Sequence, residues 1–190
     1  MKRFESERLY LKLLTEDEVT AEYVSWHQQE HTKYYSSSGR VFSKEMLLEE
    51  MATGRASDSL YVYGLYSKEN DELFGNIKVG PIVRKHGLSD LVVFIGKHEF
   101  LGKGLSVEAI AVGNRVAFEE HDVRKLYGGM FRGNIGSVKA YTRAGWVIEG
   151  VLKGQYLVDG KAEDRILVAC FNPKYFDIDK SLFPTIDDVY

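Results

Sequence analysis

The hydrophobic residues of the chain recur with two different periods. In several short segments every second residue is apolar, whereas in others the apolar residues recur at every third or fourth position. Period two is typical of β-strands, and the longer period is typical of amphipathic helices. We therefore predict strands at residues 8–14, 60–66, 73–83, 91–95 and 125–131, followed by two strands joined by a turn at Asp159 and Gly160.

Capping residues mark the helices in the first half of the chain. Thr15 and Glu18 have the spacing of a capping box, which predicts a helix that continues through Trp26. Ser43 is the predicted N-cap of a second helix, and we expect that helix to end at Gly54. Two helices therefore separate the first strand from the second.

The second half of the chain contains two more helical segments. Apolar residues at positions 105, 109, 112 and 116 predict a helix at residues 105–118. Asn134 caps the next helix, which Gly145 ends. The predicted order of elements is β-α-α-β-β-β-α-β-α-β-β. This order predicts an α/β (α+β) fold, in which a mixed, twisted sheet of about seven strands carries helices on both faces.

The composition fits one domain that spans residues 1–190. The chain is 44% hydrophobic and 28% charged, and its length allows a sizeable core. No window reaches the roughly 18 apolar residues of a membrane span, and the first residues lack the apolar centre of a secretory signal. We therefore expect a cytoplasmic protein without a membrane partner. The net charge of -3 gives no reason to expect a nucleic-acid partner.

The sequence gives no indication of a metal site. Cys170 is the single cysteine, and its place in the apolar segment RILVACF favours a role in the core. The histidines are scattered along the chain, and no pair has the spacing of a helical zinc site. We therefore expect chemistry that needs no metal ion.

A glycine-rich turn precedes the third predicted helix in the segment IGKHEFLGKGLSVEAI. Gly102 and Gly104 flank Lys103, but the spacing from Gly96 fits no P-loop, and Val107 stands where a dinucleotide-binding loop has a third small residue. Glycines and free amides at a helix start still favour binding of an anion. On this segment alone, the alternative that the glycines only shape a turn stays open.

The segment NIGSVKAYTRAGW follows about thirty residues later. Asn134 and Ser137 lie in the first turn of its predicted helix, and Tyr141 lies two turns from Asn134. Together the two segments resemble the GNAT superfamily of N-acetyltransferases, in the branch with ribosomal-protein N-terminal and spermidine acetyltransferases. Gly104 matches the family signature, whereas Leu101 replaces its Gln or Arg and Ser106 replaces its last small residue.

The resemblance implies transfer of an acetyl group from acetyl-coenzyme A (acetyl-CoA) to a primary amine by direct attack, without a metal. The strand that ends at Ile95 is then expected to splay from the strand at residues 125–131, with the pantetheine arm between them. The pyrophosphate would lie on the amides that follow. The residues that the resemblance assigns to coenzyme A are Phe94, Ile95, Gly96, Leu101, Gly102, Lys103, Gly104, Leu105, Ser106, Val107, Asn134, Ser137 and Tyr141.

Tyr141 is the candidate general acid, because a phenol close to the sulfur can protonate the thiolate of coenzyme A as it leaves. The alternative is an aromatic packing contact without proton transfer. A general base is also expected, since an alkylamine is mostly protonated at neutral pH. Asp90 and Glu99 are the candidate bases, with His98 and Glu72 as further plausible groups, and spacing does not choose among them.

The acceptor is predicted from the segment EYVSWHQQEHTKYY. It resembles family members that acetylate nucleotide-linked amino sugars, and Tyr34, Tyr35 and Arg40 are the candidate acceptor residues. A protein N-terminus or a polyamine is the alternative acceptor, and a non-catalytic acyl-CoA-binding module is the more remote alternative function. The expected partners are thus a small-molecule amine or a peptide N-terminus, and family members also suggest a homodimer.

Overall fold

The computed structural model describes residues 2–28 and 41–190. Strands and helices alternate along the chain much as the hydrophobic pattern predicts. The elements, in chain order, are β1 (Phe4–Glu5), β2 (Leu9–Leu13), α1 (Ala21–Trp26), α2 (Lys44–Ala56), β3 (Tyr61–Ser67), β4 (Leu73–Val83), β5 (Leu88–Ile95), α3 (Leu105–Arg115), β6 (Lys125–Phe131), α4 (Ile135–Arg143), β7 (Val147–Val158), β8 (Lys161–Phe171) and α5 (Ile186–Val189).

The strands form one mixed sheet in the order β1-β2-β3-β4-β5-β6-β8-β7. Neighbouring strands are antiparallel except β5 and β6, which are parallel. The described part of the chain thus has eight strands rather than the predicted seven. The additional strand is β1, whose two residues pair with β2 at Leu11 and Tyr10. Two residues are too few to show a hydrophobic period, so the sequence did not reveal this strand.

Two predicted helix boundaries differ from the structure. The capping box of Thr15 and Glu18 is present, but it closes a single 3₁₀ turn at Glu16–Glu18, and α1 begins only after a second cap at Thr20. Helix α2 continues past Gly54, because this glycine serves packing rather than termination. A Cβ atom at Gly54 would lie 2.5 Å from the Cβ atom of Leu60, so only glycine allows this close approach.

Helices cover both faces of the sheet, as predicted. One apolar cluster joins α3 and α4 to one face and includes Leu91, Leu126 and Ile166. A second cluster joins α1 and α2 to the opposite face and includes Trp26 and Phe94. Successive side chains of a strand point to opposite faces, so Leu91 and Phe94 of β5 belong to different clusters. We call these faces the α3/α4 face and the α1/α2 face.

The two predicted glycine turns are confirmed. Gly145 ends α4 with a φ of 95°, and Asp159 and Gly160 form the two-residue turn between β7 and β8 with φ values of 49° and 76°. These positive values suit a type I′ hairpin turn, which favours Asp-Gly. Within residues 2–28 and 41–190, the helices are all too short or too polar to cross a membrane.

Candidate active site

Strands β5 and β6 lie side by side only at their N-terminal ends. Leu88, Ser89 and Asp90 pair with Lys125, Leu126 and Tyr127, and pairing between the two strands ends there. Beyond this point β5 stays with β4, and β6 stays with β8 through Phe131. The two parallel strands therefore diverge and open a cleft in the middle of the sheet, as the family resemblance implied.

The backbone of Leu91, at the apex of this cleft, holds two groups that can carry protons. The Tyr141 hydroxyl donates to the Leu91 carbonyl oxygen over 2.7 Å and lies 3.4 Å from the amide nitrogen of Val93. The Asp90 carboxylate oxygen Oδ1 accepts a hydrogen bond of 2.7 Å from the Leu91 amide. The candidate acid and one candidate base are therefore fixed to the same peptide segment.

These two groups approach the apex from opposite faces of the sheet. Leu91 packs in the α3/α4 cluster together with Tyr141 of α4. Asp90 precedes Leu91 in the strand, so its side chain points towards the α1/α2 face. The apex thus has a phenol and a carboxylate bonded to the carbonyl and the amide of the same residue, and these groups can donate and accept a proton at a centre bound there.

The environment of Asp90 favours its neutral form more than water would. Burial raises the pKa of the Asp90 carboxyl to about 6, against the opposing effects of the Leu91 amide and the positive charge of Arg165. A carboxylate with a pKa near 6 is ionised at neutral pH and is also a stronger base than an exposed aspartate. Asp90 therefore has the protonation behaviour of a general base.

A hydrogen-bonded tryptophan fixes the ring of Tyr141. The rings of Tyr141 and Trp146 meet edge to face at 4.8 Å, and the Trp146 indole donates to Asn114 Oδ1 over 2.9 Å. Asn114 in turn donates to the Ala144 carbonyl over 3.2 Å, which ties α3 to the end of α4. Sequence reasoning missed Asn114, because this buried residue lies about two and a half turns after Leu105 and so on the other side of α3 from the predicted apolar positions.

The turn before α3 presents a row of backbone amides. Gly102 and Gly104 have φ values of 71° and 74°, which are left-handed conformations that favour glycine. Within the described residues, the amides from Gly102 to Ser106 donate to no acceptor, whereas the amide of Val107 donates to the Gly104 carbonyl over 3.1 Å. Consecutive free amides at a helix start form a binding site for an anion.

A cavity of about 250 Å³ connects this turn with Tyr141. Nine predicted coenzyme A residues surround it, together with four residues that the sequence did not single out, which are Val93, Phe100, Gly136 and Ala140. Its lining consists of Val93, Ile95, Phe100, Leu101, Gly102, Gly104, Leu105, Ser106, Asn134, Gly136, Ser137, Ala140 and Tyr141. The structure thus brings the two sequence motifs together at one cavity.

A second cavity, of about 140 Å³, adjoins the first at the apex of the cleft. The two share Val93, Asn134, Ser137 and Tyr141. The second cavity also reaches the opposite side of the sheet. Its remaining lining consists of Asp90, Leu91, Val92, Gly128, Gly129, Met130, Phe131, Tyr156 and Arg165. Tyr141 therefore lies at the junction of a larger cavity at the amide row and a smaller one at Asp90.

Two predicted coenzyme A residues, Phe94 and Gly96, lie outside both cavities. The Phe94 ring points to the α1/α2 face and stacks on His27 at 4.9 Å. Gly96 donates its amide to the Phe74 carbonyl over 2.8 Å, and a Cβ atom there would overlap the ring of Trp26. Both residues therefore connect the cleft strand to its neighbours.

Lys103 and Val107 do not line these cavities either. The Lys103 ammonium lies over the ring of Phe100 at 5.7 Å, and the Lys103 carbonyl accepts a hydrogen bond of 3.0 Å from Arg8. The structure therefore shows Lys103 as a residue that holds the turn in place. Its predicted contact with a bound anion stays a prediction.

The other candidate bases lie away from the apex. Glu99 and His98 are exposed in the short turn after β5 and line neither cavity. Glu72 forms an ion pair of 2.6 Å with Lys97, which lowers the pKa of its carboxyl. Asp90 is thus the candidate base that the structure places next to Tyr141.

The candidate acceptor residues Tyr34, Tyr35 and Arg40 lie outside the described residues. Their predicted role stays a prediction. Across residues 2–28 and 41–190, no group of three or more His, Cys, Asp or Glu side chains could hold a metal ion.

Solved structures with the same fold cover nearly all of the chain. A chimera of the spermidine N-acetyltransferase SpeG from Vibrio cholerae and hSSAT aligns with a TM-score of 0.77 at 19% identity, over 89% of this chain and 98% of that one. The ribosomal-protein-S5-alanine acetyltransferase from Vibrio fischeri aligns with a TM-score of 0.77 at 19% identity, over 93% and 100% of the two chains. At this identity the likeness shows the fold.

Curated relatives match a shorter part of the chain. A probable N-acetyltransferase of Bacillus subtilis, YjcK, is 26% identical over 116 residues, or 61% of this chain and 64% of that protein. The ribosomal protein uS5-alanine N-acetyltransferase of Escherichia coli is 24% identical over 117 residues, or 62% of this chain and 60% of that protein. The chain therefore matches somewhat less than two thirds of the length of these relatives.

The sequence model of the acetyltransferase (GNAT) domain matches residues 8–147. This match begins just before β2 and extends to the start of β7, so it includes the cleft, the amide row and Tyr141. The chain belongs to the GNAT acetyltransferase domain family.

Proposed function

We propose that the protein is an acetyl-CoA-dependent N-acetyltransferase that transfers the acetyl group to a primary amine by direct attack. The observation that carries this proposal is the arrangement at Leu91, whose carbonyl binds the Tyr141 hydroxyl and whose amide binds the Asp90 carboxylate, each over 2.7 Å. An acid and a base thus flank the apex of a cleft that begins at an anion-binding turn.

The residues of the cleft fit coenzyme A. The pyrophosphate would accept hydrogen bonds from the amides between Gly102 and Ser106, which donate to no described acceptor. Open space surrounds Gly102, since a Cβ atom there would have no neighbour within 4 Å. The pantetheine arm would lie between β5 and β6, where pairing ends at Asp90 and Tyr127. Acetyl-CoA supplies the activated acyl group in this scheme.

Asp90 and Tyr141 would handle the two protons of the reaction. An alkylamine with a pKa of about 10 is neutral at pH 7 only at a free-energy cost of roughly 4 kcal/mol, so removal of its proton by Asp90 contributes to the rate. Tyr141 would donate its hydroxyl proton to the thiolate of coenzyme A. Reference pKa values of about 10 for phenols and 8.5 for thiols are close enough for this transfer.

The comparisons support two of the three predicted acceptor classes. The relatives and solved structures reported above are named for a ribosomal-protein alanine or for spermidine, so a protein N-terminus and a polyamine are the acceptors that they favour. The amino-sugar acceptor depends on Tyr34, Tyr35 and Arg40, and none of those relatives is named for an amino sugar.

A non-catalytic acyl-CoA-binding module is the second candidate function. Such a module would need the amide row but neither a phenol nor a carboxylate at the cleft apex. The hydrogen bonds of Tyr141 and Asp90 to Leu91 therefore favour the enzyme.

Thiol release from acetyl-CoA tests the proposal directly. The assay would combine the purified protein with N-terminal peptides, polyamines, amino sugars and free amino acids, and mass spectrometry would identify the acetylated amine. We expect release of one thiol for each amine acetylated. Binding of acetyl-CoA without amine-dependent release across the whole panel would instead support the non-catalytic module.

We also propose that two copies of the chain form a homodimer through β7. This strand lies at the edge of the sheet and exposes apolar side chains, among them Leu157 at 76% exposure and Val158 at 41%. An exposed apolar edge strand is a surface on which a second sheet can pair. Sedimentation of the wild type and of Leu157→Lys checks this part, with a shift towards monomer expected for the variant.

A further inference from the structure

Arg165 lies on the Asp90 side of the cleft. The next residue of β8, Ile166, packs in the α3/α4 cluster, so Arg165 points to the opposite face of the sheet. Its guanidinium crosses the backbone of Gly129 in β6, where a Cβ atom would overlap the guanidinium. Arg165 and Asp90 line the same cavity, and the positive charge of Arg165 acts on the Asp90 carboxyl.

Among the described residues, no carboxylate forms an ion pair with the guanidinium of Arg165. Its Nε atom is buried and has no hydrogen-bond partner among the described residues. The two preceding residues of β8 are both acidic, but they bind elsewhere. Glu163 accepts a hydrogen bond of 2.6 Å from the Gly133 amide, and Asp164 forms ion pairs with Lys153 and Arg132. A buried polar group without a partner is costly, and a ligand that binds it removes this cost.

Aromatic side chains form one side of the space around Arg165. The guanidinium lies 5.8 Å from the ring centre of Tyr156, and the rings of Tyr156 and Phe131 are 4.1 Å apart. Both aromatic residues line the cavity of Asp90 and Tyr141. A molecule whose amine reaches the apex on this side would therefore lie against Tyr156 and Phe131, with Arg165 beside it.

We propose that Arg165 is the specificity-determining residue of the acceptor side, and that the preferred acceptor is an amine with an oxyanion close to its nitrogen. The oxyanion is a carboxylate or a phosphate, and it would bind the guanidinium while the amine lies at Asp90. This inference rests on the proposed acetyl transfer and assigns its acceptor class. A polyamine carries only positive charges, so the positive charge of Arg165, which lacks an ion-pair partner among the described residues, disfavours it.

Matched pairs of acceptors test the inference, because the two members of a pair share their carbon skeleton and differ in the oxyanion. The oxyanion also raises the pKa of the amine, so kcat/KM is calculated for the neutral amine. The pairs are an amino acid with its carboxamide, and 2-aminoethyl phosphate with ethanolamine, and spermidine is added as the polycation. For the wild type we expect kcat/KM to be at least tenfold higher for the anionic member of one pair, mainly through a lower KM. The pair that shows the preference identifies the oxyanion as a carboxylate or a phosphate.

Two variants examine the guanidinium itself. Arg165→Gln removes the charge, and Gly129→Ala displaces the guanidinium while it keeps the charge. In both variants we expect the ratio of kcat/KM for the anionic acceptor to kcat/KM for the neutral acceptor to fall towards one. Arg165→Lys keeps a positive charge and is expected to retain part of the preference. Lys161→Gln is the matched control, because it removes an exposed cation near the hairpin turn and should leave the ratio unchanged.

The outcomes separate this inference from the proposed function. Acetyl transfer to amines without a preference for the anionic member, or with a preference that survives Arg165→Gln, would overturn the role of Arg165 alone. A wild-type preference for spermidine would do the same. Failure of every amine to release thiol would instead overturn the acetyltransferase function.

Discussion

The two ends of the cleft use different parts of the polypeptide. We name them after their proposed ligands, with the donor end at the amide row and the acceptor end at Asp90. The donor end uses backbone amides, held open by Gly102 and Gly104 at positive φ and placed at the start of α3. The acceptor end uses side chains, of which Asp90 comes from β5 and Arg165 comes from β8. Tyr141 on α4 lies where the two cavities meet.

Because of this difference, substitutions affect ligand recognition differently at the two ends. Backbone amides are present in every protein, so an anion site made from them changes little when side chains change. A site made from side chains on two separate strands can change its ligand through a single substitution. Under the proposed function, the donor end therefore suits one constant cosubstrate, and the acceptor end would set the specificity of this chain.

Loss of the phenol at the junction is expected to have the largest effect. Tyr141→Phe keeps the ring against Trp146 but removes the hydroxyl that binds Leu91, so we expect kcat to fall by about 10²- to 10⁴-fold. The Kd of coenzyme A, measured by calorimetry, should change little. Tyr175→Phe is the control, since this hydroxyl binds Asp122 on the surface. An unchanged kcat in Tyr141→Phe would leave Tyr141 with a packing role only.

The turn and the helix at the donor end were largely predictable from sequence, whereas the arrangement of side chains at the acceptor end was not. Gly102, Gly104, Asn134 and Tyr141 belong to two local segments, so their spacing indicated both the turn and the helix. Asp90 was only one of several candidate bases. It lies where pairing between β5 and β6 ends, and the sequence of β5 alone does not show where that pairing ends.

Arg165 was missed for a related reason. It adjoins the apolar segment of β8, and its contact with Gly129 arises from pairing between strands that are distant in sequence. Prediction of the fold was limited by the same kind of long-range contact. Long periodic elements were predicted correctly, whereas the two-residue strand β1 and the packing role of Gly54 depend on contacts between distant residues.

Removal of the carboxylate at the acceptor end is expected to have the next largest effect. Asp90→Asn should lower kcat/KM by about 10²-fold at neutral pH and change the pH profile. In the wild type the proton of the amine moves to Asp90, so the only proton that must first be lost to solvent is that of Asp90, whose pKa burial raises to about 6. A plot of log kcat/KM against pH should therefore have a slope of one below pH 6 and be level between pH 6 and the pKa of the amine, which is about 10. The variant must bind the neutral amine and should keep a slope of one up to that pKa.

Stability measurements distinguish this effect from unfolding. The pKa of Asp90 is higher in the folded protein than in the unfolded chain, so ionisation of Asp90 lowers the stability as the pH rises from about 4 to 6. Asp90→Asn should be at least as stable as the wild type at pH 7 by thermal melting. Glu99→Gln is the comparison variant, and a larger loss of activity in it than in Asp90→Asn would reverse the assignment of the base.

The smallest of these effects is expected at the donor end, where the backbone itself binds the ligand. Gly104→Ala places a Cβ atom on a residue with a φ of 74°, at a cost of about 1 to 2 kcal/mol. Relaxation of this strain should turn the amides away from the anion and weaken coenzyme A binding by about five- to tenfold, with the acceptor KM little changed. Gly150→Ala is the matched control, because Gly150 has open space around it and no positive φ. Equal coenzyme A affinity in both variants, measured by calorimetry, would show that the amide row does not hold the pyrophosphate, and the contrast between a backbone donor end and a side-chain acceptor end would then fail.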